Sequence, residues 1–171
     1  MHRKGQFTIE YLLSLLIFLT TVSYIYYLYG SESRNYRESL KKEEVFLEAY
    51  TLSEVLCNTP GAPANWNNPY AADVIGFLDD NYNLTGIISY DKVMSLDEDT
   101  CNQLIKEKLH LKRNFLLEIK DAEDPSLFTK TCIPAKTYST KITAEVKRLV
   151  AYMHPIEGPR YAIVKIFMWE I

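Results

Sequence analysis

The residues able to do chemistry are few and scattered. Three cysteines, Cys57, Cys101 and Cys132, allow one disulfide with one thiol left over. Which two pair stays open, and three buried, reduced thiols are the alternative. His2, His110 and His154 are far apart and no C-x-x-C occurs, so no zinc pattern is present. The acid pairs Asp79/Asp80 and Asp97/Asp99 read as a turn and a helix start rather than as a general acid and base. The stretch DDNYN lacks the spacing and closing glutamate of a calcium loop. G-x-S-x-G, H-E-x-x-H and the P-loop pattern are absent. The expectation is therefore a protein that is not an enzyme and holds neither metal nor cofactor. Two features remain. Asn83 opens an N-L-T sequon in a turn-like stretch, a glycosylation acceptor outside the cell or simply an unmodified loop. Glu10 stands at the start of a long apolar run, where a carboxylate is expensive.

That run is the element that must position Glu10. Residues 11–31 carry no formal charge, a length that crosses a bilayer as a helix. His2, Arg3 and Lys4 precede it, which predicts an N-terminus inside and a C-terminus outside. Tyr24, Tyr26, Tyr27 and Tyr29 cluster at the far end, as an aromatic belt does. A secretory signal peptide is disfavoured by the length of the run and by the bulky residues up to Gly30. A plain signal anchor explains the basic start and the span, but leaves Glu10 an accident.

The stretch RKGQFTIEYLLSLLIF resembles the class III signal peptide of archaeal type IV pilins and pilin-like proteins. The resemblance implies a leader over residues 1–5, cut by a prepilin peptidase between Gly5 and Gln6. It implies a hydrophobic transmembrane and filament-spine helix over residues 6–30, and an extracytoplasmic part over residues 31–171. Glu10 would then be the glutamate that meets a neighbouring subunit's N-terminal amine during assembly. The partners implied are other pilin subunits, an assembly ATPase and a polytopic membrane platform protein. The place implied is the cytoplasmic membrane for the precursor and an extracellular filament for the product, serving adhesion, surface contact or DNA uptake. A head of this size suggests a minor or tip subunit. An uncleaved, membrane-anchored binding module is the alternative.

Helical character continues beyond the span. SESRNYRESLKKEEVFLEAYTLSEVL has no proline or glycine, and Tyr36, Leu40, Leu47, Tyr50, Leu52 and Leu56 suggest one buried face. One helix is predicted over residues 7–56, with Gly30 as a place to bend. It ends before CNTPGAPANWNNPY, whose prolines and glycine forbid regular structure. TPGAPANW also resembles a motif in the heads of archaeal pilin-like proteins. Capping-box spacing of Ser95 and Glu98 predicts a helix over residues 95–109. NFLLEIK reads as a strand and FTKTCIPA as a weaker one. KITAEVKRLVAYM alternates with a phase shift at Leu149, and YAIVKIFMWEI pairs with it as a hairpin across PIEGPR.

The fold class expected is α+β: a long N-terminal helix packed on a small antiparallel sheet, pilin-like. A hydrophobic fraction of 47% supports a sizeable core in the 171-residue chain. A net charge of −3 with both signs scattered argues against a nucleic-acid partner.

Overall fold

The computed structural model describes residues 3–82, 86–98, 101–134 and 143–169, with side chains from residue 9 onward. The sequon at Asn83 lies outside the described residues, as does Asp99. Helix α1, Arg3–Asn58, is unbroken through Gly30, where an added Cβ would meet nothing within 4 Å. The chain divides into two compact units, Met1–Lys41 and Lys42–Ile171.

The second unit is an α+β head. A five-stranded sheet runs in the order β1 (Ile87–Ile88), β4 (Thr143–His154), β5 (Gly158–Trp169), β2 (Asn114–Asp121), β3 (Thr129–Cys132). Two short helices, α2 (Tyr90–Met94) and α3 (Cys101–Lys108), lie between β1 and β2 in sequence. The sheet is mixed, which corrects the antiparallel expectation: β1 pairs with β4 in parallel, and the other pairs are antiparallel. The predicted hairpin forms, with Ala144 opposite Met168 and His154 opposite Gly158.

Residues at period two build the inner face of the sheet. Phe115, Leu117 and Ile119 of β2, Val164 and Ile166 of β5, and Val146 and Val150 of β4 are buried in one core. The predicted phase shift does not occur. Alternation holds through β4, Leu149 is exposed, and the inward position at residue 148 belongs to an arginine. Arg148 Nε donates to Ser53 Oγ at 2.8 Å, and its Nη2 donates to Glu54, both on α1. Its guanidinium also lies 5.0 Å from the ring of Tyr50. A charged residue thus occupies a core position because the helix supplies its partners.

The helix face matches expectation at Leu52 and Leu56 and differs from it elsewhere. Val45, Ala49, Leu52 and Leu56, spaced four, three and four, are buried on α1, with Ser53 and Cys57 beside them. Tyr36, Leu40, Leu47 and Tyr50 remain exposed. Arg113 adds a second tie between helix and head, pairing with Glu48 and, at 3.2 Å, with Glu44. Of the helix predicted over residues 95–109, the described residues show α3, Cys101–Lys108. Ser95 is the C-cap of α2, not an N-cap, and residues 99 and 100, just before α3, lie outside the described residues. Leu104 and Ile105 face inward as expected.

Candidate functional site

The first candidate site is the start of α1. From Ile9 to Leu28 its large apolar side chains are exposed, among them Ile9, Tyr11, Leu12, Leu13, Leu16 and Phe18. By length and composition this helix is long and apolar enough to cross a membrane. Two of its hydroxyls are satisfied within it: Thr20 and Thr21 Oγ1 donate to the Ile17 carbonyl at 2.9 and 2.8 Å. Side chains that bond their own backbone in this way suit a helix without water around it. Glu10 is exposed on this surface, one turn beyond the Gly5–Gln6 bond. That bond lies inside the helix.

The head contains a second organised region, around the TPGAPANW loop. Gly61 has φ of +83°, and a Cβ there would come within 2.5 Å of Trp66 Nε1. A Cβ on Gly76 would lie 2.2 Å from the Thr59 carbonyl oxygen. The buried Trp66 indole fits because Gly61 is bare, and its N–H is shared between the carbonyls of Pro60 and Gly76 at 3.0 and 3.1 Å. Lys92 reaches the same loop from α2. Its Nζ donates to the carbonyls of Ala64 at 2.6 Å, Leu78 at 2.9 Å and Pro60 at 3.0 Å, and lies 3.2 Å from Asp80 Oδ1. The ammonium also sits 5.8 Å from the centre of the Trp66 ring. Asp79 closes its own turn, with Oδ1 accepting from Asn81 N and Nδ2. A polar cleft of about 340 Å³ adjoins the lysine, lined by residues that include Asn65, Asn67, Asp79, Asp80 and Asp91.

Nothing in the sequence marked Lys92 as buried. Its oxygen partners lie 12 to 32 residues away in the chain. The one available signal was a loop too rich in proline and glycine to satisfy its own carbonyls.

Of the cysteines, Cys101 and Cys132 form the disulfide, joining α3 to β3, and Cys57 is a buried free thiol. Burial pushes the Cys57 thiol up to about 12, so it carries no thiolate at neutral pH. Among the described residues no group of three or more His, Cys, Asp or Glu gathers as metal ligands. No protein-family model, curated protein or solved structure matches the chain.

Proposed function

We propose that the chain is a structural subunit of a type IV pilus-like surface filament. It is made as a membrane-bound precursor and trimmed between Gly5 and Gln6 by a prepilin peptidase. The observation that carries this reading is the surface of α1: apolar on all sides over a bilayer's length, yet with Glu10 near its start. A lone carboxylate in hydrocarbon seeks a cation, and the new amine at Gln6 of a neighbouring copy supplies one and sets axial register. Phe46 and Leu47 on the head's part of α1 are exposed as well, which suits further contact between copies. An assembly ATPase and a membrane platform protein would drive extrusion. The large head favours a minor or tip subunit whose work is adhesion or surface contact.

The test is the N-terminal residue of the protein from its native surface fraction, read by mass spectrometry. A chain starting at Gln6 supports the proposal. A chain still starting at Met1 or His2 refutes it and leaves a tethered extracytoplasmic binding module. Gly5→Val is expected to abolish trimming. Glu10→Ala is expected to leave trimming within about twofold of wild type while lowering filament incorporation roughly tenfold or more, a 1.4 kcal/mol loss in docking.

A further inference from the structure

Lys92 differs from an ordinary surface lysine in what surrounds its charge. The side chain is only 7% exposed, and four oxygens lie within 3.2 Å of Nζ. Three are main-chain carbonyls that a three-proton ammonium satisfies, and the fourth belongs to a carboxylate of opposite sign. They come from three separate places in the chain: Pro60 and Ala64 of the Trp66 loop, Leu78 beside β1, and Asp80 in the following turn. Carbonyls and a carboxylate converging on one point are the donor set of a hard-cation site. Burial works to raise the Asp80 carboxyl, but a backbone hydrogen bond and the ammonium outweigh it and hold it below the ordinary aspartate value. The cleft lined by Asp79, Asp80 and Asp91 opens beside the site and gives a solvent route to it.

We infer that this is a cation-binding site which the chain fills with its own ammonium, and which takes a small external cation when that ammonium is removed. The lysine does for the head what a structural metal ion does elsewhere. It ties the Trp66 loop, Leu78 and the Asp80 turn to α2 by donating to the carbonyls of Pro60, Ala64 and Leu78 and pairing with Asp80. The ligand class is set by the cavity and its charge: an ion of calcium or potassium size, or a short alkylammonium. The inference does not depend on the filament reading.

The test compares full-length wild type and Lys92→Ala in detergent micelles, following the thermal midpoint and tryptophan emission. Wild type should not respond to calcium or to a chelator. Lys92→Ala should melt about 10 °C lower, since the Ala64 and Leu78 carbonyls and the Asp80 carboxylate lose the ammonium. It should regain at least half of that loss with calcium or methylammonium chloride, but none with tetramethylammonium chloride, which is too bulky. Lys92→Ala that stays low with every small cation overturns the inference, as does Lys92→Met melting with wild type. If Lys92→Ala does not fold, wild type decides. A lysine ¹⁵Nζ resonance whose protons exchange slowly with water, displaced in Asp80→Asn, supports the inference, and the lack of any protected ammonium overturns it.

Discussion

Asp121 ends the inner face of the sheet with a charge where the neighbouring rows are apolar. Its Oδ2 accepts from Tyr152 OH at 2.7 Å and from Arg160 Nε at 2.8 Å. Its Oδ1 accepts from the backbone N–H groups of Glu123 and Asp124 and from Arg160 Nη2. The Arg160 guanidinium first, then these other donors, hold the carboxyl far below the usual aspartate range against the opposing effect of burial. A depressed carboxyl contributes stability that is present above its unfolded value and disappears as pH falls through the folded one. Asp121 is therefore expected to keep supporting the fold well into acid, while Asp121→Asn should melt with a flatter acid limb than wild type. Arg160→Met strips the cation from a buried anion and should cost about 3 kcal/mol in urea unfolding at neutral pH. Cys57 has the opposite sign. Because its thiol is pushed up to about 12, the folded state loses stability as pH rises from the free-thiol range towards that value. At pH 8 iodoacetamide should modify it only after denaturation, and mass spectrometry would count one alkylated thiol. These residues were not legible beforehand, because Arg148 and Glu54 or Arg160 and Asp121 meet only after the sheet has formed.

At the scale of elements more was readable. Period-two alternation located β2, β4 and β5, since a strand with one dry face must alternate. The two-residue β1 carried no such signal, and its parallel pairing is what makes the sheet mixed. Helix α1 was visible by its lack of breakers, and its buried side only in part: Leu52 and Leu56 face the core as expected, whereas Val45 and Ala49 were not among the residues expected to. It carries apolar residues on two sides, and periodicity alone cannot say which one the sheet takes. The chosen side is the one that carries Val45 and Ala49. Ser95, expected to open a helix over residues 95–109, instead closes α2, its Oγ donating to the Lys92 carbonyl at 2.7 Å, because serine has capping chemistry at either end of a helix. The disulfide between α3 and β3 closes 31 residues, which predicts about 3.7 kcal/mol of stabilisation from the restricted unfolded chain. Cys101→Ala with Cys132→Ala should lower the denaturation free energy by up to that amount while leaving Cys57 protected from alkylation.

For the whole molecule, the division after Lys41 separates two solvents' worth of design. The residues that form the hydrophobic core, from Val45 to Met168, all fall in the second unit. A chain beginning at Lys42 is expected to stay monomeric in plain buffer with its disulfide formed, whereas the full chain should need detergent or lipid. Equal solubility of both, by analytical ultracentrifugation, would contradict this. The close fit of Gly61, Trp66, Gly76 and Lys92 has a consequence for ancestry. A methyl group at either glycine collides with the loop, and the indole and ammonium each depend on carbonyls that the other residues hold in place. The four are therefore inherited together or lost together, while the strands and surface around them are free to drift. Distant kin of this chain should share little beyond a glycine, a tryptophan five places on, a glycine ten beyond that and a lysine after sixteen more.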